Sequence, residues 1–230
     1  EAETDPKTIF ADIAMQEGTA EPFSGMTFEY FPPKSFDHKL LDGRGSTKNQ
    51  RIIPEVAFLG RSNVGKSSLI NAIMGRELAR CSKHPGRTQQ PYYYGLLPVH
   101  KKNNRTTDSS SSSSSVSLDP LSSHGFLVDL PGYGFAHAPD KTVEDWQQQT
   151  QDFLKHRRDA GTLHRLFLLI DARRGLVGST AAGKQKGSAL LDQSVMRWLD
   201  RAGIPYSVVI AKADCVSAPQ VVKVANEACI

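Results

Sequence analysis

Residues 60–67, GRSNVGKS, fit the pattern GxxxxGK[ST] and stand between a compact apolar run, PEVAFLG, and a stretch with helical spacing, GKSSLINAIMG. No other feature of the chain narrows its fold as much. A strand that passes through a glycine-containing turn straight into a helix starts a βαβ unit, and such units build sheets whose strands run mostly parallel. Each part of the turn has a chemical reason. Gly60 and Gly65 let the backbone turn tightly, so that successive amide hydrogens converge on phosphate oxygens. The helix N-terminus adds its partial positive charge. Lys66 can reach the β- and γ-phosphates of a nucleotide, and the Ser67 hydroxyl can ligate Mg²⁺. The loop Gly60, Arg61, Ser62, Asn63, Val64, Gly65, Lys66 and Ser67, with Ser68 entering the helix, is therefore assigned to the phosphates. A second GxxxxGK, GSTAAGKQ at 178–185, has Gln185 in place of the hydroxyl and Gly/Ser/Lys-rich flanks, and it reads as loop.

The rest of the chain continues the alternation. QPYYYGLL, GFLVDL, HRLFLLIDA and PYSVVIA read as strands; VEDWQQQTQDFLKHRR and ALLDQSVMRWLDRAG read as helices, and APQVVKVANEACI begins another. Strands that are nearly continuous apolar runs predict a mostly parallel sheet covered on both faces, an α/β fold of three layers. Residues 51–230 form this domain, preceded by an extension, 1–50, with one short element near MTFEYF. Two inserts are expected to lack regular structure: 101–124, which holds the serine run 109–115, and 173–188, RRGLVGSTAAGKQKGS. Cys81, Cys215 and Cys229 have neither metal-ligand nor CxxC spacing and read as reduced thiols. No apolar run approaches the roughly 18–20 residues that span a bilayer. A net charge of +4 is only mildly basic.

Downstream of the loop, FLVDLPGYG at 126–134 ends an apolar strand in a carboxylate, at the edge where open α/β sheets bind ligands. Asp129 can hold the Mg²⁺ shell, and the Gly132 amide can sense the γ-phosphate. In HPGRTQQ at 84–90, the Thr88 hydroxyl can complete the Mg²⁺ sphere when a loop closes on a triphosphate. In IAKADC at 210–215, Asp214 can accept hydrogen bonds from guanine N1–H and N2–H₂, donors that adenine lacks there, and the stem of Lys212 can cover the ring.

PEVAFLGRSNVGKSSLINAI, SKHPGRTQ, VDLPGYGFA and IPYSVVIAKAD together resemble the EngB (YihA/YsxC) branch of the TRAFAC P-loop GTPases, over roughly residues 52–214. The resemblance implies a Ras-like fold, GTP or GDP with Mg²⁺, slow hydrolysis, and a role in maturing the large ribosomal subunit, with its rRNA and proteins as partners. It carries Gly86, Arg87 and Thr88 into the nucleotide site, makes Ser67, Thr88 and Asp129 the Mg²⁺ set, and gives Asn63, Lys66, Thr88 and Gly132 the catalytic roles. Asn63 matches an asparagine that in related GTPases helps bind K⁺. Tyr133 follows Gly132, so no glutamine stands where Ras-type enzymes orient water. Ala211 replaces the Asn or Thr usual before KxD, and the chain stops 16 residues after Asp214, so the C-terminal part of the domain, with its guanine-backing loop, is expected to be missing. The serine-rich insert and long extension suggest a eukaryotic, organellar member, and ribosome assembly then points to mitochondria; a monomer is expected.

Two rival readings remain open at this level: a pseudo-GTPase scaffold that docks on a ribosomal intermediate without turnover, and a P-loop ATPase or nucleotide kinase, which lacks any adenine-site or lid signature. For rRNA the candidate cations are 155–158 (KHRR) with His164 and Arg165, and Lys101, Lys102 and Arg105. The histidines show no ligand spacing, and Trp146 and Trp198 read as packing residues.

Overall fold

The structure, a computed structural model, describes residues 23–32, 52–79, 90–99, 119–134, 140–176 and 186–228. Six strands among these residues form one sheet: β1 (Met26–Phe31), β2 (Glu55–Gly60), β3 (Tyr92–Pro98), β4 (Phe126–Asp129), β5 (Leu163–Asp171) and β6 (Tyr206–Ala211), in the spatial order β1-β3-β4-β2-β5-β6. The pairs β2–β4, β2–β5 and β5–β6 are parallel, whereas β3 is antiparallel to both β1 and β4. Only β3 therefore runs against the rest.

Among the described residues, four helices cover the sheet: α1 (Lys66–Met74), α2 (Asp140–Asp159), α3 (Lys186–Arg201) and α4 (Ala218–Ala228). The central strands send alternate side chains to opposite faces. Ala57 and Leu59 of β2, with Leu166, Leu168 and Ile170 of β5, pack with Leu154 of α2, Leu199 of α3 and Val224 of α4. Phe58 and Leu169 point the other way, onto Ile70 and Met74 of α1. This two-sided burial is why β2 and β5 read as unbroken apolar runs. The three-layer, mostly parallel fold expected from the sequence is the fold observed.

At the edge opposite the parallel loop ends, Glu55 opens β2 fully buried, facing Arg157 from the last turn of α2, also fully buried. Arg157 Nε donates to Glu55 Oε1 at 3.0 Å and Oε2 at 3.1 Å, and its Nη2 donates to Oε1 as well. A guanidinium and a carboxylate can share a dry site because the bidentate bonds replace their lost hydration. This removes Arg157 from the candidate rRNA cations, whereas His156, His164 and Arg165 are exposed. Arg157 is interior, Arg158 pairs with Asp159 and donates to the Ala202 carbonyl, and Lys155 lies 6.0 Å over the Trp198 ring. Lys101, Lys102 and Arg105 lie outside the described residues.

The short element expected near MTFEYF is present, and two expectations about irregular segments change. The element near MTFEYF forms as β1, and it extends the domain's own sheet: Phe28 and Phe31 are core residues on its two faces. Within the insert expected to lack structure over 101–124, residues 119–124 are ordered. Asp119 accepts from the Leu121 amide at 3.0 Å and the Ser122 hydroxyl at 3.2 Å, which starts a one-turn 3₁₀ helix, Pro120–Ser122, and His124 N–H then donates to Leu96 at 2.8 Å. Residues 101–118 are not among those described. Likewise α3 begins at Lys186, inside the segment expected to be flexible over 173–188, and 173–176 form a turn in which Leu176 is buried. Glu227 Oε2 holds that turn by accepting from Leu176 N–H at 2.9 Å. The second GxxxxGK lies outside the described residues.

Candidate functional site: the loop after β2 and the ends of β5 and β6

The loop between β2 and α1 is shaped by two left-handed residues, Asn63 (φ 63°) and Gly65 (φ 116°). A side chain at φ 116° would be strained, which is the reason for glycine at 65. No side chain caps the start of α1, and a helix N-terminus favours an anion there. At the far end, Gly75 closes the helix, and Asn71 staples the following turn by accepting from Leu78 and Ala79 amides at 3.0 and 2.7 Å.

The segment after β4 is laced to this loop by main-chain bonds. Leu130 N–H donates to Phe58 at 3.1 Å, Tyr133 N–H to Gly60 at 3.2 Å, and Ser62 N–H to Tyr133 at 3.0 Å. The parallel β2–β4 ladder thus continues beyond both strands, to a bridge between Arg61 and Tyr133. It sets Gly132 directly against the loop. A Cβ at 132 would lie 2.9 Å from both Lys66 Nζ and Ser62 N, so only glycine fits.

Lys66, Ser67 and Asp129 meet here. Lys66 is buried, with Nζ donating to the Gly60 carbonyl at 3.3 Å. Burial lowers its pKa, opposed by the charge of Asp129. Asp129 is only 3% exposed and accepts the Ser67 hydroxyl at 2.8 Å on Oδ2. Burial raises its pKa, against the pull of Lys66 and Ser67. Its other oxygen, Oδ1, is buried without a hydrogen-bond partner among the described residues. A buried acceptor left unpaired costs about 1–3 kcal/mol. A carboxylate oxygen and a hydroxyl oxygen side by side, one of them unsatisfied, are the hard donors that suit Mg²⁺. The residues present fit the ion.

Tyr133 does not face the phosphates. Its ring is buried, and its hydroxyl donates to Asp192 Oδ1 of α3 at 2.8 Å; Asp192 also lies 4.0 Å from Arg61 Nη1. Burial raises the pKa of Asp192, opposed by the Tyr133 bond and by Arg61.

The corner expected from the sequence to meet the base forms at the ends of β5 and β6. Lys212 is left-handed (φ 59°) and caps a 3₁₀ turn, Ala213–Cys215, that carries Asp214 exposed. Lys212 Nζ donates to the Asn63 carbonyl at 2.6 Å and to Asp171 Oδ2 at 3.2 Å. Asp171 in turn takes both Nε (2.9 Å) and Nη2 (2.7 Å) of Arg173. Although burial pushes the Asp171 carboxyl up, Arg173 and Lys212 outweigh it and hold the pKa at about 2.

The structure therefore brings together Gly60 to Ser68, Asp129, Gly132 and Lys212, with Asp214 beside Lys212. Gly86, Arg87 and Thr88 lie outside the described residues, so the third Mg²⁺ ligand expected from the sequence has no described position. Sequence reasoning missed Asp171, Arg173 and Asp192. For Asp171 a signal existed: LLID closes β5 as LVD closes β4, placing a second carboxylate at the ligand edge of the sheet. Among the described residues, no cluster of His, Cys, Asp and Glu has metal-site geometry and no helix is long and apolar enough to cross a membrane.

Residues 55–212 match the family described as 50S ribosome-binding GTPase. A probable GTP-binding protein EngB from Chelativorans sp. (strain BNC1) is 42% identical over 175 residues, which is 76% of this chain and 64% of that protein. Another, from Rhizobium leguminosarum bv. trifolii (strain WSM2304), is 38% identical over 197 residues, 84% of this chain and 76% of its relative. The chain thus spans just under two thirds of the length of the first. A crystal structure of a probable GTP-binding protein engB aligns over 75% of this chain and 79% of that chain at 23% identity, with a TM-score of 0.48.

Proposed function

The chain belongs to the EngB family of 50S ribosome-binding GTPases, and from that premise we propose that it binds GTP and GDP with Mg²⁺, hydrolyses GTP slowly, and acts as a switch in large ribosomal subunit assembly in mitochondria. The observation that carries the nucleotide chemistry is the Ser67–Asp129 pair, with Asp129 Oδ1 unsatisfied beside the phosphate loop.

Ser67 and Asp129 would hold the metal, which supplies neutralisation of charge on the β- and γ-phosphate oxygens. Lys66 brings a positive charge to the same oxygens, kept close by the Gly60 carbonyl. The start of α1, uncapped by any side chain, would bind and orient the phosphates, and the Gly132 amide would meet a γ-phosphate oxygen, a role that its close approach to Lys66 supports. Tyr133, committed to Asp192, cannot orient water as a glutamine would. Turnover then rests on positioning and on bound cations, and Asn63 is the proposed K⁺ contact. Asp214 and Lys212 select guanine.

Two measurements test this. Displacement of labelled GDP by GDP but not by ADP is expected, and a preference for ADP would end the guanine assignment. GTP turnover should exceed that of Lys66→Ala and be faster in K⁺ than in Na⁺; equal rates in the two salts would remove K⁺ from the proposal. Sequestration of Tyr133 also favours a second reading, a docking protein with no significant turnover, which a rate no higher than that of Lys66→Ala would select. Cosedimentation with mitochondrial large-subunit precursors, dependent on GTP, is the expected sign of the ribosomal role.

A further inference from the structure

Base recognition in this chain has to work without a polar side chain at position 211, because the Ala211 methyl can neither donate nor accept a hydrogen bond. The loop it precedes is not self-supporting. Lys212 adopts a left-handed conformation that side chains rarely take, and the 3₁₀ turn presenting Asp214 closes on it through Cys215 N–H to the Lys212 carbonyl at 3.1 Å. Where Lys212 sits therefore decides where Asp214 points.

Asp171 occupies the position across from the gap. In the parallel β5–β6 register Asp171 is the Cα partner of Ala211, and Ala172 N–H donates to the Ala211 carbonyl at 2.9 Å. Asp171 is 4% exposed, and its carboxylate is fully engaged. Oδ1 accepts Arg173 Nε at 2.9 Å and the Arg173 amide at 3.1 Å; Oδ2 accepts Arg173 Nη2 at 2.7 Å and Lys212 Nζ at 3.2 Å. Arg173 thus fixes the carboxylate, the carboxylate fixes the Lys212 ammonium, and the ammonium reaches the phosphate loop at the Asn63 carbonyl. This chain of charge-assisted bonds ties the ends of β5 and β6 to the loop between β2 and α1. Arg173 alone would neutralise Asp171, so the Lys212 contact is not needed to keep the carboxylate satisfied.

We propose that Asp171, steadied by Arg173, is a positioning residue for guanine selectivity that takes over the anchoring role a polar side chain at 211 would fill. The proposal rests on the reading of Lys212 and Asp214 as the guanine corner. It places the determinant of base choice on β5, one strand away from the residues that would touch the base. Its effect falls on the base more than on the metal, because the Ser67–Asp129 pair is held by separate contacts.

The test compares GDP with IDP, which lacks the exocyclic amine that Asp214 would accept, by displacement of a fluorescent GDP analogue from the full chain. Wild type should prefer GDP. Asp171→Asn should weaken GDP about tenfold, as expected for loss of one charge-assisted hydrogen bond, weaken IDP less, and leave the Mg²⁺ dependence of binding unchanged. Adding Ala211→Asn to that variant should restore part of the GDP preference. Arg173→Gln, at a half-exposed side chain that leaves the core intact, should narrow the GDP:IDP ratio in the same direction by a smaller factor, which keeps the test available if Asp171→Asn fails to fold. An unchanged ratio in folded variants overturns the positioning role, and failure of Ala211→Asn to restore any preference overturns the substitution for position 211. A wild type that does not distinguish GDP from IDP or ADP defeats instead the guanine reading on which the proposal stands.

Discussion

Replacing Arg157 with methionine removes one side of the ion pair that joins the end of α2 to the start of β2. Arg157 makes two Nε bonds, at 3.0 and 3.1 Å, and a third from Nη2, all to a Glu55 side chain with no solvent contact. Methionine fills much of the volume and satisfies none of the carboxylate. Stranding a buried charge in this way costs about 3–5 kcal/mol. At about 2–4 °C per kcal/mol for a chain of this size, the melting temperature should fall by about 6–20 °C at pH 7. Far-UV circular dichroism melts would measure it.

The pH dependence supplies a second readout. A buried carboxylate that loses its guanidinium partner is pushed up by desolvation, so in the variant Glu55 should hold its proton to higher pH in the folded than in the unfolded chain, whose value is about 4.3. The deficit should then be small below about pH 4.3 and grow as pH rises through the folded pKa. Glu55→Leu combined with Arg157→Met removes both charges and should recover most or all of the lost stability. A single variant that melts within about 2 °C of wild type, or a double variant no better than the single, would refute the buried pair as described. Because Arg157 is interior, RNA affinity should not change except through unfolding.

Gly132→Ala places a methyl 2.9 Å from both Lys66 Nζ and Ser62 N, so GTP affinity should fall about tenfold or more relative to GDP, the scale of one charged hydrogen bond; equal losses for both nucleotides would argue against Gly132 as the γ-phosphate contact. Tyr133→Phe deletes the 2.8 Å bond to buried Asp192 and should cost about 1–3 kcal/mol in urea unfolding. Asp171 titrates in the fold at about 2, below its ordinary value of 3.8, so it adds stability above about pH 4 that is lost as pH falls towards 2. Asp171→Asn should flatten the acid limb of the stability curve in that window.

What could be read in the sequence was whatever chemistry or periodicity imposes locally. A phosphate loop needs glycines, a lysine and a hydroxyl at set spacing, and β2 and β5 announce a sheet buried on both faces by unbroken apolar runs. The residues that tune the site were harder to find because register, not spacing, brings them together. Asp171 meets Lys212 across 41 positions, Tyr133 meets Asp192 across 59, and Arg157 meets Glu55 across 102. In sequence KHRR looks like a charged patch, yet helix rotation sends one of its arginines inward. Composition misled in the opposite sense at residue 119 and at Lys186, where a capping aspartate and a docked helix give structure to the edges of low-complexity segments.

The ladder between the phosphate loop and the segment after β4 has a mechanical consequence. Any motion that carries Tyr133 away from the loop must break its bond to Gly60, the bond it accepts from Ser62 and the bond its hydroxyl gives to Asp192. A motion that starts beyond it breaks none of these. Gly134, at φ 80°, is the first residue past the ladder with the backbone freedom to act as a pivot. A ligand met at Gly132 would therefore be met from a seat that these bonds fix through Tyr133.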